Sequence, residues 1–238
     1  MEHLRVEGLS YGYDCGEVLH NISFSVEKGE CLCIAGANGS GKSTLLELLA
    51  SCMKPRKGSI TINGVSIAKE ARKTGIVFQE PDNQFFMPSV WEDVAFGIMK
   101  KGVTAETGRE QALAALRLTG AEHLAERPPH RLSGGEKQRA ALASMLIMEN
   151  EVLLLDEPTA SLDPRARKNI IALLKGLDRT RIIASHDLDM MLELADRVIF
   201  LHNGTLSAQS PVPGLLFDRE YLEGIGLELP LGHGASFG

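Results

Sequence analysis

Gly36, Ala37, Asn38, Gly39, Ser40, Gly41, Lys42, Ser43 and Thr44 spell the pattern G-x-x-x-x-G-K-[ST], set between a predicted strand and a predicted helix. Upstream, Glu30 to Ala35 is an almost unbroken apolar run, the pattern of a central parallel strand covered on both faces. Downstream, Leu45, Leu46, Leu48 and Leu49 recur at helical spacing. A strand, a glycine-rich loop and a helix in that order point to an α/β fold. The glycines let the backbone curl with its N–H groups inward, and the helix adds the positive end of its dipole. A polyphosphate is thereby held before any side chain acts. Lys42 supplies a point charge to the outer phosphates, and Ser43 a hydroxyl for the magnesium ion that accompanies them.

With 238 residues, 44% hydrophobic and 24% charged, the chain has the composition of an ordinary soluble globular protein: one large domain, or a core plus a subdomain. No apolar stretch approaches the roughly 18–20 residues of a bilayer span, and the opening Met1-Glu2-His3-Leu4-Arg5 lacks the apolar region of a secretory signal. A cytoplasmic location is expected. The formal charge of −6 and pI near 5.7 oppose broad polyanion binding, so nucleic acid is not expected as a partner. Cys15, Cys31, Cys33 and Cys52 show no metal-ligand spacing and read as core thiols, with Cys31 and Cys33 on one side of a buried strand. His123 and His130, near Glu122 and Glu126, read as scattered surface histidines rather than ligands.

The chain begins with two strands, Leu4 to Tyr13 and Val18 to Val26, whose alternation fits an antiparallel sheet with one wet face. Ser59 to Ile67 forms a hairpin signal around Asn63-Gly64. Ile76-Val77-Phe78 is a short strand ending at Gln79. From Ser89 to about Asn150 the pattern is helical, opening with a capping box at Ser89-Val90-Trp91-Glu92 and running through Glu110 to Leu118, closed by Gly120. Glu151 to Leu155 is a solid apolar strand. Asp163-Pro164 starts a helix striped by Ile170, Ile171, Leu173, Leu174 and Leu177, and Arg181–Ser185 and Arg197–Leu201 complete the alternation. The expected organisation is one domain spanning 1–238: a core at about 1–88 and 151–207, a helical subdomain at about 89–150, and a tail at about 208–238. That tail is read as a short helix followed by a frayed glycine-rich end from Gly232 to Gly238.

Two further segments carry chemistry. The strand Val152 to Leu155 runs into Asp156 and Glu157, offering one carboxylate for a metal shell and one for a water. Side chains alternate along a strand, so the two cannot point the same way while it lasts; Asp156 is assigned to magnesium and Glu157 to the attacking water. Leu132-Ser133-Gly134-Gly135-Glu136-Lys137-Gln138-Arg139 has capping-box spacing at Ser133 and Glu136. Two glycines in its first turn would also clear a helix N-terminus for a ligand, at a cost in helix propensity that ordinary caps rarely accept. The segment reads as a second phosphate-binding helix start.

It resembles the signature of ATP-binding-cassette (ABC) ATPases, and with the phosphate loop the likeness covers roughly Leu4 to Ser207. The resemblance implies a phosphate-loop NTPase of ABC type: a mostly parallel core sheet with an antiparallel β-subdomain and a helical insert. It implies ATP and Mg2+ as cofactors. Tyr13 resembles the aromatic that stacks on adenine, with Tyr11 close enough to leave the choice open. Gln79 resembles the glutamine that touches magnesium and the attacking water and reports to a membrane partner. His186 resembles the histidine that holds the γ-phosphate, and Ser161-Leu162-Asp163 the loop at the dimer interface. Lys42, Gln79, Glu157 and His186 are the implied catalytic set. Ser133, Gly134 and Gly135 are implied to meet the phosphate across a dimer. Glu136 stands where the commonest signature has glutamine, and a carboxylate there would repel phosphate. It is expected to turn toward ribose or to cap its own helix.

In that family the signature lies away from the same chain's phosphate loop, which implies two chains facing each other, identical or paralogous, with ATP between them. The segment Phe78-Gln79-Glu80-Pro81-Asp82-Asn83-Gln84-Phe85-Phe86, with Pro88 and Glu92-Asp93-Val94-Ala95-Phe96-Gly97, is similar to ATPases of energy-coupling-factor (ECF) importers, especially those for cobalt or nickel ions and some vitamins. Phe85 and Phe86 read either as anchors for a partner's helix or as buried packing. The implied partners are transmembrane transporter subunits, placing the chain peripherally on the cytoplasmic face of the membrane. A conventional importer or exporter ATPase would share the catalytic residues. A soluble ABC ATPase would usually carry two cassettes or a long coiled insertion, and a GTPase would need an Asn-Lys-x-Asp motif that is absent.

Overall fold

From the N-terminus the chain forms β1 (Glu2–Tyr13), β2 (Gly16–Glu27), β3 (Cys31–Ala35), α1 (Lys42–Leu49), β4 (Lys57–Ile62), β5 (Val65–Ser66), the single-turn α2 (Ile67–Glu70) and β6 (Thr74–Val77). Three longer helices follow: α3 (Val90–Met99), α4 (Ala105–Leu118) and α5 (Gly134–Ile147). Strands and helices then alternate through β7 (Val152–Asp156), α6 (Pro164–Lys175), β8 (Thr180–Ser185), α7 (Leu188–Leu194), β9 (Arg197–His202) and β10 (Thr205–Pro211), with α8 (Arg219–Gly224) after them. The computed structural model describes residues 2–14 and 16–231. Cys15, the glycine-rich end from Gly232 to Gly238 and the side chains of Asp82 and Asn83 lie outside the described set.

Two sheets organise the first compact unit, which takes in residues 1–76, 151–157 and 178–238. One is antiparallel, in the order β2-β1-β4-β5. The other runs β10-β9-β3-β8-β7-β6, with β9, β3, β8 and β7 mutually parallel and β10 antiparallel at one edge. Every residue of β3, β7 and β8 is buried, as their continuous apolar sequences require of strands covered on both faces. Leu32, Ile34, Leu154, Ile182 and Ile199 pack in one core with Leu45, Leu46 and Leu49 of α1 and with Leu4, Val6, Ile22 and Phe24 of the antiparallel sheet. Burying each such side chain is worth about 1.5–3 kcal/mol, and this core holds the ends of β3, β7 and β8 in fixed register.

The hairpin expected at Asn63-Gly64 is present: both residues have left-handed backbone, φ 50° and 76°, as a primed turn demands. The same dipeptide recurs at Asn203-Gly204, φ 47° and 72°, and there it joins β9 to β10. The sheet therefore runs past the expected end of the core, to Pro211, where a short helix and little periodicity were expected. The β10 sequence TLSAQSP is polar because only alternate residues are partly covered at a sheet edge, and pairing with β9 overrides its weak strand propensity.

The second compact unit comprises residues 77–150 and 158–177. Val90, Val94 and Ile98 of α3, Ala112 and Leu116 of α4 and Ala140 and Ala143 of α5 meet in its core, spaced by turns of a helix. Ser89 is the N-cap of α3, but the expected capping box is not formed. Its hydroxyl donates to the Glu92 carboxylate at 2.5 Å, and no helix amide donates to the hydroxyl in return.

Candidate functional site

The phosphate loop hangs from the buried end of β3 and enters α1 through Gly41, whose φ of 104° only glycine adopts comfortably. Gly36 is needed for a different reason: a Cβ there would lie 2.4 Å from the Leu201 carbonyl oxygen and 2.5 Å from Ser40 Oγ. Lys42 is buried and folds back into the curl, its ammonium donating to the Gly36 carbonyl at 2.7 Å and the Ala37 carbonyl at 3.1 Å. Burial draws its pKa below the ordinary lysine value, against the opposing pull of the Glu157 and Asp156 carboxylates. A lysine cation folded onto a glycine-rich loop at a helix start is an anion site with its counter-charge already in place.

β7 brings the two acids beside this loop. Asp156, its last residue, is buried, and burial pushes its carboxyl above the usual range against the opposing pull of the Ser43 hydroxyl. Its Oδ1 is enclosed and receives no hydrogen bond from the described residues. A hydroxyl and a buried carboxylate oxygen without a donor are the oxygen ligands a magnesium ion takes, so the residues fit that ion. Glu157 lies just beyond the strand with φ 45°, and its N–H donates to the Ala184 carbonyl at 2.9 Å. This left-handed turn, rather than strand alternation, sets the direction of its side chain. One carboxylate oxygen accepts from the Ser185 hydroxyl at 2.6 Å; the other lies 3.0 Å from the donating His186 N–H and 2.7 Å from His186 Nδ1. Lys42, Asp156, Glu157 and His186 thus share one unit and one set of strand ends. Ser185 was not singled out by sequence, although its place directly before His186 at a strand end was the available signal.

The signature segment belongs to the second unit. Ser133 caps α5 through a capping box: Glu136 Oε2 accepts from the Ser133 N–H at 2.8 Å and from its hydroxyl at 2.9 Å. The Ser133 N–H, then its hydroxyl, hold the Glu136 carboxyl below the usual range, so Glu136 caps its own helix. Ser133, Gly134, Gly135, Glu136 and Arg139 line a cleft of about 370 Å³ together with Ser161, Leu162 and Asp163. Gly135 makes that juxtaposition possible, because a Cβ there would come 2.7 Å from the Ser161 carbonyl oxygen. Asp163 accepts from the Arg165 and Ala166 amides, fixing the loop at the start of α6.

Tyr13 and Tyr11 meet edge to face with centroids 5.2 Å apart; Tyr11 packs on the core while Tyr13 presents the exposed ring. Gln79 is exposed and lies two residues beyond β6, in the second unit. Phe85 packs against the helical core, whereas Phe86 is 64% exposed, its ring edge to face with Phe96 at 4.7 Å. His123 and His130 are exposed, and no group of three metal-ligating side chains occurs among the described residues.

Residues 19–160 match the sequence profile of the family described as ABC transporter. The chain belongs to that family. An ABC ATPase of Methanothermobacter thermautotrophicus, named as an energy-coupling factor transporter ATP-binding protein, is 40% identical over 238 residues, covering 95% of this chain and 76% of that protein. The structure of cbiO1 from Clostridium perfringens, described as part of the ABC transporter complex cbiONQ, superposes with a TM-score of 0.79 at 38% identity, over 94% of this chain and 95% of that one. The ATP-binding cassette MJ0796, solved as a dimer in a post-hydrolysis state with ADP and Pi, superposes with a TM-score of 0.83 at 28% identity, over 89% and 99% of the two chains. This chain is accordingly an ATP-binding, ATP-hydrolysing ABC transporter subunit with the mixed-sheet ABC fold. Among the described residues, no helix is long and apolar enough to cross a membrane.

Proposed function

We propose that this ABC ATPase powers import through an energy-coupling-factor transporter for cobalt or nickel ions, acting as a dimer at the cytoplasmic face of the membrane. The observation that carries the reading is the near full-length likeness to an ECF ATP-binding protein, which spans 95% of the chain. The likeness to cbiO1 supports it, as does the segment from Phe78 to Gly97. In this reading the N–H groups of Gly36 to Thr44 and the Lys42 ammonium bind the phosphates of ATP, while Tyr13 stacks on the base. Ser43 and Asp156 hold magnesium, with Gln79 assigned beside them by the family pattern; the ion neutralises phosphate charge when bound. Glu157 takes the proton of the attacking water, and His186 holds the γ-phosphate. Ser133, Gly134 and Gly135 offer a helix N-terminus to the nucleotide of a second chain, identical or paralogous, so that ATP joins two copies and hydrolysis releases them.

A tagged copy recovered from membranes is expected to bring transmembrane subunits with it. Reconstituted vesicles should take up radiolabelled cobalt or nickel with ATP and not with Glu157→Gln. Uptake of a vitamin in place of the metals would move the assignment to another branch of ECF importers, and recovery without any membrane subunit would overturn it. Phe86 offers a second test. Phe86→Asp is expected to leave ATP hydrolysis by the purified chain unchanged while reducing recovery of membrane subunits, since exposed aromatics are common anchors at interfaces. Equal recovery with Asp at this position would remove Phe86 from the contact.

A further inference from the structure

The parallel register that pairs Asp156 of β7 with Ala184 of β8 puts Glu157, the residue after β7, beside Ser185, the last residue of β8. Glu157 extends the ladder by one bond to Ala184 and then turns left-handed, laying its carboxylate across the end of β8. The Ser185 hydroxyl and the His186 N–H donate to it there, the His186 ring nitrogen Nδ1 lies beside them, and the two side chains differ in freedom. The His186 side chain is 56% exposed, so its ring can swing away from the carboxylate. Ser185 is fully buried at the strand end, with 0% exposure, and cannot follow. Its oxygen also accepts the Asp187 N–H at 3.0 Å, which occupies one lone pair, while its hydroxyl proton goes to the carboxylate, 2.6 Å off.

We infer that Ser185 is a positioning residue for Glu157: its hydroxyl pins one carboxylate oxygen to the end of β8 while the other passes from the His186 ring to the attacking water. The inference rests on the reading of Glu157 as the base. A carboxylate held only by His186 would be free to rotate once that ring turned to phosphate, and the base would lose its aim when it is needed. With Ser185 in place, the departure of the ring frees one oxygen and leaves the other fixed, which is the arrangement a base needs to accept a single proton.

Ser185→Ala removes the pin. Turnover is expected to fall about tenfold or more, the scale of one hydrogen bond to a charged group, with affinity for a fluorescent ATP analogue unchanged. Ser185→Thr keeps a hydroxyl and should restore most of the rate. In a Glu157→Gln background, Ser185→Ala should produce no further slowing, because the aim of a group that cannot accept the proton is immaterial. Native turnover in Ser185→Ala would overturn the proposal. So would a loss that threonine fails to rescue and that is equally large in both backgrounds, which would mark Ser185 as a support of the fold alone. If Glu157→Gln itself turned over at the native rate, the base assignment would fall and the role of Ser185 with it. Slow Glu157→Gln beside normal Ser185→Ala would overturn only the second.

Discussion

Glu157→Gln is expected to bind ATP as the native chain does and to hydrolyse it about 10²–10⁴-fold more slowly. The substitution is nearly isosteric, and the surroundings of Glu157 can accept it. The amide oxygen can take the His186 N–H, and the amide nitrogen can face the Ser185 oxygen, so that little of the local geometry need move. The ability to accept the water's proton is lost. Because the phosphate loop is untouched, nucleotide affinity should change little, and product release should become irrelevant to the rate. If ATP joins two copies, a chain that binds but does not cleave should accumulate as a dimer in gel filtration with ATP and magnesium, and run as monomer with ADP. A variant that hydrolyses at the native rate would remove Glu157 from the chemistry; a variant that stays monomeric in saturating ATP would count against the paired arrangement.

The features legible in the sequence are those whose cause is local. The phosphate loop, the buried strands β3, β7 and β8, the Asp163-Pro164 helix start and the Ser133–Glu136 cap each follow from residues adjacent or a few positions apart, and each is present. Features set by distant backbone were not legible. Strand alternation gave a correct separation of Asp156 from Glu157 but the wrong cause, because Glu157 lies past the strand in a left-handed conformation that no glutamate sequence announces. The Ser185 hydroxyl reaches Glu157 across 28 residues, through the register of two strands rather than through spacing. Gly135 was read as clearing the helix start for a ligand; the structure adds that it clears room for the Ser161 carbonyl. β10 was missed because its edge position permits a polar sequence, although its Asn203-Gly204 turn repeats the signal that had identified the earlier hairpin.

Two inactive variants are expected to restore activity when mixed. Lys42→Ala removes the buried cation of the phosphate loop in the first unit, and Gly135→Ala drives a Cβ to within 2.7 Å of the Ser161 backbone in the second. Each alone should lower turnover by about 10²-fold, the scale of losing one group that stabilises transferred charge. If the phosphate loop of one chain works with the signature of another, a pair made of one copy of each variant contains one doubly damaged site and one intact site. The intact site takes its loop from the Gly135→Ala chain and its signature from the Lys42→Ala chain. Random pairing of equal amounts makes half the pairs mixed, so turnover should climb to about a quarter of the native rate. A site completed within one chain predicts the opposite: every chain in the mixture carries a defect, and turnover stays at the mean of the two variants. The rise should also depend steeply on protein concentration, since it requires association, whereas any residual activity of the separate variants at a self-contained site would scale linearly with the amount of chain present.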